Sequence, residues 1–213
     1  MHDRPQPRVA SETKNSGIVA AAMQVGAIVL AAGSSQRAGD VNKLLHTYND
    51  KPMICSVVES VLASDVAESL MVTGYQSEQV TSAISEYAIP VVHCPRFSDG
   101  MAHTIAAGLS QLQKYDAVIV CLGDMPHVSV DVINQIISAH EQLIDKIVVP
   151  VHNNKRGNPV LIGRTFFDSL LQHQGDTGAR FLMKEYPEKV FEVELDSMSV
   201  LKDYDTAESL KGL

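Results

Sequence analysis

A loop of small residues followed by two cations is the segment of this sequence best suited to chemistry. It runs over residues 30–39 (LAAGSSQRAG) and contains Arg37, and Lys43 lies four residues after the end of this segment. Small residues let backbone N–H groups approach phosphate oxygens closely, and glycine adopts backbone angles that strain other residues. Arg37 and Lys43 place fixed positive charge where a triphosphate would lie. The segment therefore predicts a phosphate-binding loop.

The simpler interpretation of this loop is a tight connection between a strand and a helix, with its cations in solvent. The offsets of Arg37 and Lys43 favour the phosphate site, although the spacing matches neither the P-loop nor the dinucleotide pattern GxGxxG. Two glycines that follow other predicted strands complete the set. The predicted nucleotide-binding residues are Leu30, Ala31, Ala32, Gly33, Ser34, Ser35, Arg37, Gly39, Lys43, Gly74 and Gly123.

One acidic residue, Asp124, is placed to hold a metal ion. It follows the apolar run at 117–122, and ligands of open parallel sheets bind beyond the carboxyl ends of the strands. A carboxylate at that point can hold Mg²⁺ against phosphates. The alternative is a turn residue, which an Asp before Met-Pro would satisfy by itself. The loop at the end of the first strand strengthens the metal interpretation.

The composition excludes several classes of protein. The chain has 17 Lys and Arg against 25 Asp and Glu, a formal net charge of −8. No basic block is present, so we expect no nucleic-acid partner. Three cysteines without a CxxC pair indicate a reducing, cytoplasmic environment and no structural zinc. No apolar run is long enough to span a bilayer, so we expect no membrane association.

Apolar runs and helical patterns alternate along the chain. The runs at 25–31 and 117–122 are continuously apolar and rich in β-branched residues, as in strands buried on both faces. Shorter strands are predicted at 70–73, 89–93 and 147–151, and helical patterns lie between them. This alternation predicts βαβ units, hence a mostly parallel sheet with helices on both faces. Residues 1–24 are interpreted as a flexible extension and residues 25–213 as one domain.

The loop and Lys43 resemble the signature LAAGxSxRxG…K of the nucleoside-triphosphate transferases related to the molybdenum cofactor guanylyl- and cytidylyltransferases. The family fold is a Rossmann-like three-layer α/β sandwich of the nucleotide-diphospho-sugar transferase type. GDMP at 123–126 is similar to the family motif GDxP, whose Asp binds the catalytic metal. DYDTAESL at 203–210 resembles DIDTPEDL, which implies that Asp205 completes an Mg²⁺ site with Asp124. Asp203 is the alternative second ligand, and Asp205 could equally cap a terminal helix.

Three further segments, at 95–109, 155–161 and 175–180, are similar to motifs of the cytidylyltransferase branch. They imply an acceptor site formed by Arg156, Asn158, Pro159 and Arg180. Two of these residues are cations in glycine-rich segments, which suits an anionic acceptor such as a pterin phosphate. Arg180 could instead be an exposed helix residue. Ala32, where the guanylyl branch has Gly, implies CTP as the nucleotide.

The expected reaction is attack of an acceptor phosphate oxygen on the α-phosphorus of CTP, with release of pyrophosphate. Such chemistry needs positioning and charge neutralisation more than a nucleophilic side chain. Arg37, Lys43 and Asp124 are the expected catalytic residues, the two cations offsetting the charge of the leaving pyrophosphate and Asp124 holding Mg²⁺. The acceptor implied by the resemblance is molybdopterin, with a molybdoenzyme or its chaperone as a protein partner.

Two alternatives remain open from the sequence. One is a nucleotidyltransferase with a different acceptor, such as a sugar or alcohol phosphate. The other is an accessory protein that binds a nucleotide without catalysis. Arg37, Lys43 and Asp124 argue against the second alternative, because a protein that only binds a nucleotide does not need the metal ligand.

Overall fold

A computed structural model of the chain describes residues 23–34, 42–140, 145–204 and 208, and strands and helices alternate along them. The strands are β1 (Val25–Ala31), β2 (Thr47–Tyr48), β3 (Lys51–Pro52), β4 (Glu68–Thr73), β5 (Val91–His93), β6 (Ala117–Leu122), β7 (Ile147–His152), β8 (Lys155–Arg156), β9 (Val160–Gly163) and β10 (Val190–Glu194). The helices are α1 (Met53–Leu62), α2 (Ser77–Ala83), α3 (Met101–Leu112), α4 (Val130–His140), α5 (Phe167–Gln172) and α6 (Arg180–Glu185). None of these described helices is long and apolar enough to cross a membrane.

The main sheet has the strand order β10-β7-β9-β6-β1-β4-β5, with β8 paired to β7. β1 is parallel to both of its neighbours, and the pairs β4–β5 and β7–β10 are also parallel. β9 is antiparallel to β6 and to β7. The expected mostly parallel sheet is confirmed, with β9 as the main exception. Because β9 is antiparallel to both β6 and β7, these two strands run in the same direction, and their carboxyl ends lie at the same edge of the sheet.

Side chains alternate between two apolar layers along the central strands, as the strand period of two requires. In β1, Ala27 and Val29 pack with the buried faces of α1, α2 and α4. Ile28, between them, packs on the opposite face with α3, α5 and α6. Burial on both faces explains why the strand is apolar throughout. The three-layer α/β/α arrangement expected from the sequence is therefore confirmed.

The strand order places a crevice between β1 and β6. From β1 the chain adds β4 and β5 on one side, and then returns through α3 to place β6 on the other side. The two connections leave the carboxyl ends of β1 and β6 in opposite directions. In open α/β sheets a ligand-binding crevice forms at such a switch point.

Candidate active site

The predicted site segments lie at the carboxyl edge of the sheet, around this switch point. β1 ends at Ala31, and β6 ends opposite it, with Leu30 and Leu122 in register. The loop after β1 and Asp124 after β6 are therefore neighbours. Residues 35–41, which include Ser35, Arg37 and Gly39, lie outside the described residues, and so does Asp205. The predicted roles of these four residues stay predictions.

Gly123 brings the turn after β6 close to the backbone of β1. Its N–H donates to the carbonyl oxygen of Leu30 at 2.9 Å. A Cβ atom at Gly123 would lie 2.8 Å from the same oxygen and 3.0 Å from Cδ1 of Ile54. A larger residue would thus push the turn outwards. Glycine at this position allows Asp124, the next residue, to lie directly beside the end of β1.

Gly74 supports the loop after β1 from behind. The N–H of Tyr75 donates to the carbonyl oxygen of Ala32 at 3.2 Å. A Cβ atom at Gly74 would lie 2.5 Å from Cγ of Phe97 and 2.9 Å from the Ala32 oxygen. Ala32 is 4% exposed, whereas Gly33 is exposed, and no heavy atom of the described residues lies within 4 Å of the position of its Cβ. The described part of the loop therefore presents Gly33 to the crevice, above a floor of Ala32 and Gly74.

Lys43 and Asp124 form an ion pair at the crevice, between Nζ and Oδ2. Asn42, which is buried, begins the turn that carries Lys43, because its Oδ1 accepts from the N–H of Leu44 at 3.1 Å. Each side chain of the pair is 14% exposed. Such partial burial strengthens the attraction between the charges relative to open water. Two residues that are 81 positions apart in the sequence are thus brought together, as their predicted roles require.

The described residues contain no group of three or more His, Cys, Asp or Glu side chains that could hold a metal ion. A cage built entirely of protein ligands is therefore absent from this part of the chain. Mg²⁺ usually keeps several waters and binds through one or two carboxylates together with substrate phosphates. The Asp124 carboxylate at the crevice fits that second arrangement. Asp203, the alternative second ligand, is exposed in the segment after the last described strand.

A hydrogen-bonded trio that the sequence analysis missed is centred on His127, in the turn that carries Asp124. His127 Nδ1 is 3.1 Å from the hydroxyl of Tyr48, and His127 Nε2 is 2.6 Å from the hydroxyl of Tyr204. Burial, and then the positive charge of Lys202, lower the pKa of His127. The neutral imidazole is therefore favoured at neutral pH. No spacing pattern connects these three residues, which come from distant parts of the chain.

The predicted acceptor residues come from two separate segments, one that follows β7 and one at the start of α6. Arg156 is half-exposed in β8, and its Nε donates to Oε1 of Glu192 at 2.6 Å. The N–H of Asn158 donates to the carbonyl oxygen of Val200 at 2.9 Å, and Pro159 is buried. Arg180 is exposed at the first residue of α6. Their predicted contacts with an acceptor stay predictions.

Two segments that the sequence analysis treated separately are joined at the start of α3. The N–H of Ala102 donates to the carbonyl oxygen of Gly175 at 3.1 Å, and that of Met101 donates to Oδ1 of Asp176 at 3.3 Å. Gly100 has a φ of 120°, and a Cβ atom there would lie 2.6 Å from the carbonyl carbon of Gly175. The segment before Arg180 thus caps the first turn of α3.

The fold and the site define an α/β protein with a binding crevice at its switch point, lined by a glycine-containing loop and a Lys–Asp pair. The sequence matches the MobA-like NTP transferase domain over residues 27–190. The chain belongs to this family of nucleotidyltransferases.

Similar proteins of known name cover most of the chain. The molybdenum cofactor cytidylyltransferase of Escherichia coli (strain K12) is 23% identical over 85% of this chain and 91% of its own length. The nicotine blue oxidoreductase of Paenarthrobacter nicotinovorans is 25% identical over 89% of this chain and 96% of its own length. The crystal structure of Rv0371c from Mycobacterium tuberculosis H37Rv superposes with a TM-score of 0.79, at 24% identity, over 90% of this chain and 97% of that one. A structure of Rv0371c in complex with manganese gives a TM-score of 0.75, at 23% identity, over 89% and 97%.

Proposed function

We propose that this protein transfers CMP from CTP to the phosphate of a molybdopterin cofactor and releases pyrophosphate, with Mg²⁺ as the metal ion and in the cytoplasm. The observation that carries the proposal is the Lys43–Asp124 pair at the carboxyl ends of β1 and β6. Nucleotidyl transfer needs a cation for the phosphates and a carboxylate for the metal at one point. The crevice supplies both groups from two different loops.

In the proposed reaction the cationic side chains bind the phosphates and the acidic side chains hold the metal ion. Lys43 is held where its ammonium group can turn from Asp124 to the β- and γ-phosphates and offset the charge on the leaving pyrophosphate. The backbone at Gly33 is open to the crevice and can approach phosphate oxygens closely. Asp124 would hold the metal ion, which when bound neutralises phosphate charge and makes the α-phosphorus easier to attack. Arg37 and Asp205 are proposed to complete the cationic and metal-binding sets.

The acceptor is proposed from likeness and charge together. The E. coli relative named above is a molybdenum cofactor cytidylyltransferase, and it covers nearly the same length. Arg156 in β8 and Arg180 at the start of α6 are exposed cations in a protein whose net charge is −8. Such cations suit an anionic acceptor. A molybdoenzyme or its chaperone is proposed to receive the product.

A second candidate function follows from the relative that is named as an oxidoreductase. It is as long as this chain and 25% identical to it. Oxidation and reduction of an organic substrate would need an electron donor or acceptor in the crevice, and would need neither release of pyrophosphate nor a carboxylate bound to metal. A requirement for Asp124 would therefore distinguish nucleotidyl transfer from the oxidoreductase reaction.

The proposal is tested by measuring pyrophosphate release with CTP, GTP and ATP, each combined with molybdopterin, sugar phosphates and alcohol phosphates. Asp124→Asn should lower kcat/KM by at least on the order of 100-fold, because it removes the charge that holds the metal ion. Asp168→Asn is the matched control, since Asp168 is exposed in α5, which follows β9 at the opposite edge of the sheet. The control should keep full activity.

Each outcome assigns a function. Release with CTP and molybdopterin alone supports the proposal, and release with another acceptor moves the function to that substrate. If no triphosphate is cleaved and reduced nicotinamide is consumed with a quinone-like dye, the oxidoreductase function replaces the proposed nucleotidyl transfer. Binding of CTP without any turnover would indicate an accessory role.

A further inference from the structure

His127 connects three segments, one that contains Asp124, one that follows Lys43 and one near the C-terminus. It follows Asp124 by three residues in the turn after β6, and its two ring nitrogens bond Tyr48 and Tyr204. Tyr48 lies in β2, five residues after Lys43. The ring centroids of His127 and Tyr48 are 5.2 Å apart in an edge-on arrangement. One imidazole thus joins the lysine segment, the aspartate turn and the C-terminal segment.

Tyr204 anchors the C-terminal segment in the core. It is 3% exposed and packs against Met53 at the start of α1. Residues 202–204 belong to neither a helix nor a strand, so side-chain contacts must fix much of their position. The ring of Tyr204 lies 5.7 Å from that of His127, and Lys202 Nζ lies 5.4 Å from the centre of the Tyr204 ring. The hydroxyl of Tyr204 is therefore hydrogen-bonded to the turn that carries Asp124, through His127.

We propose that His127 is a positioning residue for the metal site. By bonding Tyr204 it fixes the end of the described C-terminal segment against the turn that carries Asp124, and with it the carboxylate of Asp203, the residue before Tyr204. The proposal rests on the proposed function, because it takes Asp124 to be a metal ligand. It assigns a role to a residue that touches neither nucleotide nor metal and acts through Tyr204.

The chemistry of the trio suits such a role. A neutral imidazole has one donor and one acceptor nitrogen, and a tyrosine hydroxyl can donate or accept. Both bonds can therefore form together with either tautomer of His127. The bridge adds no charge beside a site that must attract both a metal ion and a polyanion. A lysine or arginine bridge would compete with the metal ion for the same carboxylates.

Tyr204→Phe isolates this bond, because it removes the hydroxyl and keeps the ring against Met53. We expect the Mg²⁺ activation constant, and the Kd of Mn²⁺ measured by electron paramagnetic resonance with CTP bound, to rise roughly 3- to 10-fold, the factor that one net hydrogen bond provides. The kcat at saturating metal should stay within about twofold of the original. His127→Leu should behave alike, and adding it to Tyr204→Phe should change the metal constants little, because the two residues act as one unit.

Tyr87→Phe is the matched control. It also removes a tyrosine hydroxyl hydrogen bond, the 2.6 Å bond to Glu59 Oε1, which lies between α1 and the turn after α2. This variant should leave both metal constants unchanged. Hydrogen exchange of the amides at 202–204 should be faster in Tyr204→Phe and unaltered in Tyr87→Phe, while the amides of β6 keep their protection in both proteins.

A purely structural role predicts a different result. Tyr204→Phe would then lower the melting temperature while the Mn²⁺ and Mg²⁺ constants stayed within twofold of the original, and the positioning role would be wrong. The Mn²⁺ titration does not require turnover. An inactive protein that binds CTP and Mn²⁺ would therefore overturn the proposed reaction and still decide the role of His127. If the unmodified protein with CTP bound no Mn²⁺, the positioning role would be overturned as well.

Discussion

Lys43 Nζ donates a hydrogen bond to Oδ2 of Asp124, so the cation predicted for phosphate and the carboxylate predicted for metal neutralise each other. Both charges are mostly shielded from solvent, and removal of Lys43 would leave the Asp124 carboxylate buried without this ion pair. A metal ion that approaches Asp124 must displace the ammonium group of Lys43. A triphosphate offers that ammonium group a new partner, so nucleotide and metal should bind together.

Removal of Lys43 should therefore uncover the metal site. We expect Lys43→Met to tighten Mn²⁺ binding in the absence of nucleotide by roughly 10-fold, since about 1.4 kcal/mol of competing ion-pair energy would be lost. The same variant should weaken CTP binding. Isothermal titration with Mn²⁺ alone and with CTP alone measures both effects. Lys51→Met is the control, because Lys51 pairs with Glu59 away from Asp124, and it should alter neither titration.

Gly74 and Gly33 should differ sharply in their tolerance of a methyl group. A Cβ atom at Gly74 would meet Phe97 and the carbonyl oxygen of Ala32, whereas a Cβ atom at Gly33 would have no heavy atom of the described part of the chain within 4 Å. We expect Gly74→Ala to destabilise the fold by about 1–3 kcal/mol through overpacking. Gly33→Ala should stay within about 0.5 kcal/mol of the original stability. Urea denaturation gives both values, and equal stabilities would contradict the packing described for Gly74.

Hydrogen bonds of Gln24 fix the start of the described fold, so deletion of residues 1–22 should leave the fold intact. The N–H of Gln24 donates to Oδ2 of Asp116, and the N–H of Asp116 donates to the carbonyl oxygen of Gln24, both at 2.9 Å. A protein that begins at Met23 should melt within about 2 °C of the full chain, the shift that ~0.5 kcal/mol produces. Deletion of residues 1–26 removes these bonds and the first residues of β1, and should lower the melting temperature markedly. A large loss with the shorter deletion would show that the extension contributes to stability.

The sequence allowed the centre of the sheet to be predicted because burial on both faces leaves a continuous apolar run. β1 and β6 were found this way, and the rule for parallel sheets then brought Lys43 and Asp124 to one crevice. The direction of β9 could not be read in the same way, because four apolar residues carry no sign of direction. The bond between His127 and Tyr204 spans 77 positions and depends on the packing of three loops. Local patterns contain no record of such contacts.

In our proposal the preference for CTP over GTP depends on Ala32, and the structure indicates how this residue would act on the nucleotide. A methyl group at position 32 can act in two ways, by narrowing the space for the base or by restricting the backbone. Ala32 is 4% exposed, so its methyl group lies below the surface of the loop. Its carbonyl oxygen is bonded by the N–H of Tyr75. The methyl group should therefore act through the backbone, which it keeps in one conformation beside Gly33.

We expect the unmodified protein to prefer CTP to GTP and ATP, and Ala32→Gly to relax that preference. Glycine at position 32 can adopt a wider range of backbone angles, which would let the loop move aside for a two-ring base. The change in the ratio of kcat/KM values for CTP and GTP should be roughly 10-fold, because steric differences of this size correspond to about 1–3 kcal/mol. The variant should lose about 0.5–1 kcal/mol of stability from the added freedom of the unfolded chain, and should stay active. Gly33→Ala is the counterpart, since it stiffens the next residue and should not shift the ratio towards GTP. Equal use of the two nucleotides by the unmodified protein would defeat the prediction and would point to a transferase with a broader choice of base.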